Sequence, residues 1–311
     1  DRLKEGYGPN AAAMEQLAAE GNRVVITVDC GISAHQALEA AQAAGLEVII
    51  TDHHQAEEKL PPALAVINPN RLDEASPHRE LAAVGVTFLL VVGLNRALRR
   101  AGWYAAGAEP DLMGWLDLVA LGTVCDVVPL TGVNRALVAQ GLAVMARRAN
   151  PGLRALADVA GMGEAPGTYH AGFILGPRIN ARGGLGPAKG AVGRMLAADA
   201  ARARALASAL DVANRQRREV EKRTVDEASA RVERESLADA PALAITARTR
   251  DAEAATEVAG RCFAEVLRPY HRRAKMGPAS ATFLPTLLAD TLVASGWLAL
   301  AVHSMAGRRG E

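Results

Sequence analysis

Residues 47–55 read EVIITDHHQ, a short apolar run that ends in an acid and two histidines. A continuous apolar run of this length, rich in β-branched residues, predicts a strand buried on both faces. The three residues that end it, Asp52, His53 and His54, are all potential metal ligands. Two adjacent polar rings directly after a buried strand need partners, so the stretch predicts both a sheet and a site at its edge.

Similar patterns lie on both sides of this stretch. RVVITVD (23–29) precedes it and LAVIN (64–68) follows it, while segments 11–20 and 35–45 are rich in helix formers. Ser33 is the predicted N-cap of the second of these helices. Short, continuously apolar strands separated by amphipathic helices indicate an α/β fold with a parallel sheet flanked by helices.

Composition limits the class of protein. The 311 residues are 50% apolar, and 35 basic against 34 acidic residues give a formal charge of +1. Net charge therefore does not indicate a nucleic-acid binder, and any basic surface must be local. Three scattered cysteines, Cys30, Cys125 and Cys262, favour a reducing compartment over a disulfide framework. No apolar run approaches the roughly 18–20 residues of a membrane span. We expect a cytoplasmic protein without a membrane segment.

The second half begins with a Gly/Pro-rich loop, GPRINARGGLGPAKG (176–190), and continues into a long helical stretch from about 192 to 235. Basic residues recur along that stretch among acids. Two interpretations are open for them: a solvated helix face, which is the commoner case, or part of a basic groove. The residues concerned are Arg202, Arg204, Arg215, Arg217, Arg218, Lys222 and Arg223.

Three acids follow predicted strand or loop ends. Asp29 closes VVITVD, Asp52 closes VIIT, and Asp126 follows LGTVC. In an open parallel sheet, ligands collect at the carboxyl ends of the strands. A single acid at such a position is more often a helix cap or turn residue. Together with His53 and His54, the three acids predict a carboxylate-rich metal site that suits Mn²⁺ or Mg²⁺ and phosphoryl-transfer chemistry.

Three motifs resemble the second, third and fourth motifs of the DHH phosphoesterase superfamily: TVDCGIS (27–33), ITDHHQ (50–55) and ALGTVCDVVPL (120–130). Further segments have the order and spacing of its bacterial exonucleases specific for single-stranded DNA. These segments are INPNR (67–71), LAAVGVTF (81–88), LGPRIN (175–180) and LDVANRQRREVE (210–221). The resemblance extends over about the first 235 residues.

The resemblance implies a two-lobed enzyme. Residues 1–200 would form a DHH catalytic domain, 201–235 a long connecting helix, and 236–311 a smaller DHHA1-like α/β domain. The implied activity is 5′→3′ hydrolysis of phosphodiester bonds in single-stranded DNA with Mn²⁺ or Mg²⁺, in recombination and repair. The implied partners are single-stranded DNA, a single-strand-binding protein and a helicase, and the protein would be a monomer.

The resemblance also implies a role for each matched residue. Asp29 would bridge two metal ions, and His53 and Asp126 would ligate one of them. Asp52 would lie behind the ligands and orient them. His54 would face the scissile phosphate and stabilise charge or donate a proton.

Further phosphate contacts follow from other matched segments, and some positions depart from the family pattern. Arg178 and Asn180 of LGPRIN would lie beside the strand, and His303 of AVHSMAG would represent a Gly-Gly-His turn. Ala301 and Val302 replace the glycines of that turn. The family's opening Asp-x-Asp motif has no counterpart, so the sequence supplies ligands for one ion. We therefore expect an N-terminally truncated chain with a degenerate C-terminal region and with its activity alone in question.

Two other functions compete with the exonuclease. A DHH enzyme that acts on short oligonucleotides or cyclic dinucleotides would use the same chemistry, but the exonuclease-specific segments disfavour it. A non-catalytic nucleic-acid-binding remnant would explain the missing opening motif. Metal-dependent release of nucleotides from single strands separates the enzyme from the remnant.

Overall fold

Three parallel strands form the sheet that carries the site. In the computed structural model they are β1 (Val24–Val28), β2 (Glu47–Thr51) and β3 (Ala65–Ile67), in the order β1-β2-β3. The register pairs Val28 with Thr51 and Thr51 with Ile67, so all three strands end at the same level. The structure describes residues 8–105, 108–181 and 200–234, and the backbone of 242–248 and 297–303.

Two short helices precede and follow β1 along the chain: α1 (Ala11–Ala19) and α2 (His35–Ala43). The Asn10 side chain caps α1 by accepting a hydrogen bond from the Ala13 N–H at 2.8 Å. The predicted cap of α2 was wrong, because α2 begins after Ala34 and has no side-chain cap. The core cluster between these helices and the sheet comprises Met14, Ala37, Leu38, Ala41, Leu46, Val48 and Ile50.

One side of β1 is more open than the prediction of a fully covered sheet implied. Val24, Ile26 and Val28, which alternate along β1, are each about half exposed, at 50%, 52% and 46%. The central strand β2 buries Val48, Ile50 and Thr51. The sheet is flanked by helices as predicted, and its edge strand keeps one apolar row accessible to solvent.

The helices that follow the sheet are α3 (Ala83–Arg100), α4 (Leu116–Cys125), α5 (Gly132–Ala146), α6 (Pro151–Val159), α7 (Gly176–Asn180) and α8 (Ala200–Arg234). A 3₁₀ turn, Leu112–Trp115, leads into α4, and a π-helical turn, His170–Leu175, leads into α7. Segment 116–128 is thus helix to Cys125 and loop beyond it.

Helix α4 is held tightly by α5. A Cβ atom at Gly141 would lie 2.1 Å from the Leu116 carbonyl oxygen, so only glycine permits this approach. Leu116, Val119, Ala120 and Leu121 of α4 are all buried. A helix that is apolar on most sides is a buried helix. Its C-terminal end, where Asp126 follows Cys125, is therefore fixed in position.

The chain divides into two compact units. One comprises Tyr7–Ile179 and Ala191–Ser208, and it contains the three-stranded sheet and α1–α6. The other comprises Asp1–Gly6, Asn180–Gly190 and Ala209–Glu311. Its described part contains α8 from Ala209 onward and an antiparallel pair of strands, β4 (Ala242–Arg248) and β5 (Trp297–His303).

The long helix predicted from about 192 to 235 is α8, Ala200–Arg234. Six of its seven noted basic residues are exposed, as a solvated face or a basic groove requires. Arg217 is the exception, since it is buried and bonded to Glu221 Oε2 at 3.1 Å and to Asn214. Among the described residues, no helix has the length and apolar character needed to cross a membrane.

Candidate metal centre

The ends of the three strands place polar residues side by side. Backbone pairing continues one residue beyond the strands, because the Asp29 N–H donates to the Thr51 carbonyl at 2.9 Å and the Asp52 N–H to Ile67 at 3.0 Å. Asp29, Asp52 and Asn68 therefore follow their strands at one edge of the sheet. This arrangement is the strand-end geometry at which parallel sheets collect ligands.

His53 lies between two carboxylates. Its Nε2 atom is 3.3 Å from Asp29 Oδ1 and 3.4 Å from Asp126 Oδ2. Although this nitrogen is buried, it has hydrogen-bonding geometry with neither acid. Its Nδ1 is 3.1 Å from the Leu81 carbonyl oxygen, which only accepts, so the ring proton belongs on Nδ1. Nε2 is then a lone-pair donor directed at the two acids, as metal ligation requires.

The surroundings of His53 and Asp126 shift the pKa of both groups. The nearby Asp29 carboxylate raises the pKa of His53; burial opposes this effect and Asp126 reinforces it. Burial raises the pKa of Asp126, which the charge of His53 counteracts and that of Asp29 reinforces. Asp126 also caps the C-terminal end of α4, where the helix dipole disfavours a negative charge. A divalent cation would offset the cost of an ionised Asp126.

Asp52 has a different environment from the other two acids. It is fully buried, and its Oδ1 accepts hydrogen bonds from the His53 N–H at 2.7 Å, the His54 N–H at 3.2 Å and His54 Nδ1 at 2.7 Å. Its Oδ2 accepts from the Ile32 N–H at 3.1 Å. Burial alone would raise the pKa of Asp52, but the hydrogen bonds from His54, Ile32 and His53 outweigh it and lower the pKa. Asp52 therefore remains ionised and fixes the His54 ring.

His54 is half-exposed, with 49% of its side chain accessible. Its ring meets the His53 ring edge-on, with centroids 4.5 Å apart. Ligand atoms of Asp29, His53 and His54 all lie within 4.8 Å of one another. The sequence placed His54 at the phosphate; the structure also brings it within reach of an ion held by Asp29 and His53.

Two buried asparagines hold the histidine backbone, and the sequence analysis assigned them no role. Asn70 Nδ2 donates to the His53 carbonyl at 2.6 Å and to the Arg79 carbonyl at 3.0 Å. Asn68 Nδ2 donates to the His54 carbonyl at 2.9 Å, and its Oδ1 accepts from the Asn70 N–H at 2.7 Å. The signal was present in INPNR, in which two asparagines follow a short strand at the site's edge.

Two of the three described non-glycine residues with backbone strain lie at or next to predicted metal ligands. Among the described residues other than glycine, Asp29, Val127 and Arg148 have positive φ, at 62°, 61° and 55°. Asp29 is a proposed ligand, and Val127 directly follows Asp126. A β-branched residue in the left-handed region is a genuine outlier, and such strain is often found at functional sites. Val127 is also 87% exposed, so no packing favours it there.

The remaining predicted site residues, Arg178, Asn180 and His303, do not lie at the strand ends. Arg178 is on α7, and its Nη1 donates to the Ile174 carbonyl at 2.7 Å. The segment that carries it is adjacent to Asp126 in the fold, because a Cβ atom at Gly176 would lie 2.5 Å from Cys125 Sγ. Asn180 ends α7 and is exposed. His303 ends β5, opposite Ala242, and its side chain is outside the described atoms, as are residues 182–199 and 304–311 entirely.

The fold and the strand-end cluster define a class of protein. Residues 3–123 match the DHH family, N-terminal domain. This part of the chain therefore matches the DHH family, as its three motifs indicated.

Within that superfamily the chain is similar to RecJ. It is 46% identical over 225 residues to the single-stranded-DNA-specific exonuclease RecJ of Dickeya dadantii and 43% identical over 225 residues to that of Escherichia coli. Each alignment covers 71% of this chain and 39% of the relative. To RecJ of Bacillus subtilis it is 38% identical over 239 residues, which cover 76% of this chain and 29% of the relative. The chain thus spans well under half the length of these relatives.

Solved structures agree with the sequence comparison. A crystal structure of exonuclease RecJ bound to manganese superposes with a TM-score of 0.64 at 36% identity, over 73% of this chain and 55% of that one. RecJ of Thermus thermophilus in complex with Mn²⁺ superposes with a TM-score of 0.63 at 31% identity, over 84% of this chain and 37% of that one. The parallel sheet with flanking helices is therefore the RecJ arrangement.

Proposed function

We propose that the chain is the catalytic part of a 5′→3′ exonuclease that hydrolyses phosphodiester bonds of single-stranded DNA in recombination and repair. The observation that carries this proposal is the buried Nε2 atom of His53, which lies between two carboxylates at 3.3 and 3.4 Å. The relatives with this sequence pattern are RecJ exonucleases specific for single-stranded DNA. A set of residues able to bind a metal ion, in a chain similar to these exonucleases, favours hydrolysis of the DNA strand over binding alone.

The proposed cofactor is Mn²⁺ or Mg²⁺, the ions present in the similar RecJ structures. Asp29, His53 and Asp126 would hold it, and a donor set of carboxylates with imidazole and no thiolate fits these ions. When bound, such an ion acts as a Lewis acid and lowers the pKa of a bound water molecule. Asp29, the more exposed carboxylate, is the ligand that would bridge to a second ion.

The chain's own residues would orient the substrate. Asp52 holds the Nδ1–H of His54, so the Nε2 atom of His54 remains available for a phosphate oxygen. When protonated, that nitrogen donates a hydrogen bond or a proton to the phosphate. Asn68 and Asn70 fix the backbone on which both histidines depend.

Nucleic-acid contacts outside the centre are assigned to Arg178, Asn180 and His303. A guanidinium such as that of Arg178 binds phosphate in a bidentate manner. We also propose the division into a DHH domain (1–200), a connecting helix (201–235) and a DHHA1-like region (236–311). We further propose that the protein acts in the cytoplasm as a monomer, alongside a single-strand-binding protein and a helicase.

The test uses the full chain with 5′-labelled single- and double-stranded DNA, with and without Mn²⁺. We expect nucleotides to be released from single strands only, and only with the metal. Asp126→Ala, which removes one ligand, should abolish that release. Single strands that remain intact with Mn²⁺ would contradict the exonuclease proposal.

A further inference from the structure

Two aromatic rings are stacked in the open on the π-helical turn that leads into α7. The rings of Tyr169 and Phe173 have centroids 5.5 Å apart and an interplanar angle of 23°. Tyr169 is 61% exposed and Phe173 is 65% exposed. Single exposed apolar side chains are normal and need no explanation. A stacked pair, in a chain with only four Phe and four Tyr, is an accessible π surface that the fold leaves uncovered.

The turn that presents these rings packs directly on the end of α4. A Cβ atom at Gly172 would lie 3.3 Å from Val124 Cγ1, and Cys125 Sγ is 3.6 Å from the Ala171 carbonyl oxygen. Asp126, a proposed metal ligand, is the next residue of the chain. The turn that carries the ring pair is therefore next to the segment of Asp126 in the fold, on the same unit of the molecule.

Local hydrogen bonds fix the start of this turn. His170 Nδ1 accepts from the Gly167 N–H at 3.0 Å, so the ring proton belongs on Nε2, which is 3.0 Å from Glu164 Oε1. The His170 ring meets that of Tyr169 edge-on, with centroids 5.8 Å apart. π-Helical turns are rare and are frequent at functional sites. Here the turn places Tyr169 and Phe173 on one face, and Arg178 follows on the helix that continues from it.

Base stacking is the chemistry that such a surface offers. Every nucleobase has a π-face, and stacking on an aromatic ring is worth about 1–3 kcal/mol per base without sequence preference. In a duplex both faces of a base are covered by its neighbours, so only an unpaired base is free to stack. The guanidinium of Arg178, on the helix that follows the turn, has the chemistry to bind a phosphate of the same strand.

We propose that Tyr169 and Phe173 form a stacking platform for an unpaired base of the DNA strand that enters the metal centre. The inference rests on the proposed function, since it takes the single-stranded substrate from there. It adds a positioning role: the platform holds the strand by a base while the metal centre engages a phosphate. It also gives a physical source for selection of single strands.

The test measures binding of a phosphorothioate-linked single strand, which resists cleavage, to the full chain with Mn²⁺ at one fixed salt concentration. The strand carries 2-aminopurine, whose fluorescence is quenched by stacking, and has about twelve nucleotides, within the usual range of single-strand sites. We expect the protein to quench the probe. The double variant Tyr169→Ala/Phe173→Ala should lose the quenching and bind about tenfold more weakly, within the range expected for one stacked base.

Matched variants separate stacking from folding. Tyr169→Phe and Phe173→Tyr keep the rings and should retain the quenching. Phe173→Leu keeps the apolar bulk but has no π-face, so it should reduce the quenching. This single variant tests the platform independently if the double variant fails to fold. Trp103→Ala removes an aromatic residue that is 74% exposed outside the platform, and it should leave binding unchanged.

An abasic strand provides the decisive comparison. Without bases, the wild type and the double variant should bind equally. The platform is refuted if the double variant binds and quenches like the wild type, if it weakens abasic and normal strands alike, or if the wild type binds no single strand. Release of nucleotides by both proteins with equal rates refutes the platform and leaves the exonuclease standing. Quenching that depends on the rings, without any Mn²⁺-dependent release, supports the platform and refutes the exonuclease.

Discussion

The ends of β1 and β2 carry the same residue type in opposite environments. The Asp29 side chain at the end of β1 is 52% exposed, and its backbone has a φ of 62°. Asp52 at the end of β2 is fully buried, is not among the residues with positive φ, and accepts hydrogen bonds from four donors. A carboxylate whose lone pairs are already occupied organises its surroundings, whereas one whose oxygens remain available binds a cation.

The position of each strand in the sheet explains this difference. β2 is central, so the chain that leaves it is enclosed by the segments after β1 and β3. Among the described strands β1 lies at the edge of the sheet, so its end has a neighbouring strand end on one side only. The same residue type at two strand ends is thus a structural acid at one and, in our proposal, a metal ligand at the other, and the predictions test that division.

The largest effect is expected for Asp52→Ala. It leaves four donors without their acceptor in a buried site, and we expect the free energy of unfolding to fall by about 3 kcal/mol, together with loss of Mn²⁺ binding. Chemical denaturation of the metal-free protein measures the first effect. Asp52→Asn keeps the shape and one oxygen and should lose less. A smaller loss of stability for Asp52→Ala than for Asp29→Ala would reverse the assignment of the two acids.

The next effect belongs to the other strand end. Asp29→Asn removes a charge that the fold does not need, so we expect Mn²⁺ affinity to fall about a hundredfold while the free energy of unfolding changes by no more than about 0.5 kcal/mol. Calorimetric titration with Mn²⁺ measures the affinity. Glu47→Gln, an exposed acid at the opposite end of β2, is the matched control and should bind Mn²⁺ normally. Unchanged affinity in Asp29→Asn would exclude Asp29 as a ligand.

Much of this centre was predictable from local sequence. The runs VVITV and EVIIT predicted β1 and β2, and parallel pairing alone brings Asp29 and Asp52 to one edge. The sequence also grouped Asp126 with these residues as a strand-end or loop-end acid, but its approach to His53 depends on how α4 packs. No local pattern specifies which helix end meets which strand end.

Contacts made by backbone atoms could not be predicted at all. The Leu81 carbonyl that fixes the His53 tautomer is 28 residues away in sequence and has no side-chain signature. The positive φ of Val127 is likewise invisible, since a valine normally argues against that conformation. The stacked rings of Tyr169 and Phe173 depend on a π-helical turn, and their i, i+4 spacing is equally compatible with an ordinary α-helix.

A third prediction concerns the clamp behind the β2 end. Asn70→Ala removes the donors to two carbonyl groups, those of His53 and Arg79, so we expect a loss of about 2 kcal/mol in unfolding free energy. Mn²⁺ affinity should fall about tenfold, because the His53 backbone is less well held. The control is Asn22→Ala, whose side chain donates to a carbonyl at an exposed site and should change stability little. Equal losses in both variants would remove the special role of Asn70.

The smallest expected effect comes from glycine and alanine substitutions at positions 29 and 52, which compare the backbone strain at the ends of β1 and β2. At position 29 the left-handed φ costs an alanine about 1–2 kcal/mol and a glycine almost nothing, so Asp29→Gly should be about 1 kcal/mol more stable than Asp29→Ala. At position 52, where φ is not positive, the greater flexibility of glycine in the unfolded chain reverses the order, and Asp52→Ala should be the more stable variant by about 0.5–1 kcal/mol.

The four variants are compared by denaturation without metal, so ligand loss does not enter the result. Opposite signs at the two positions would show that strain is stored at the β1 end and absent from the β2 end. The same sign at both would mean that the φ of Asp29 is relaxed in solution. The division between the two acids would then rest on burial alone.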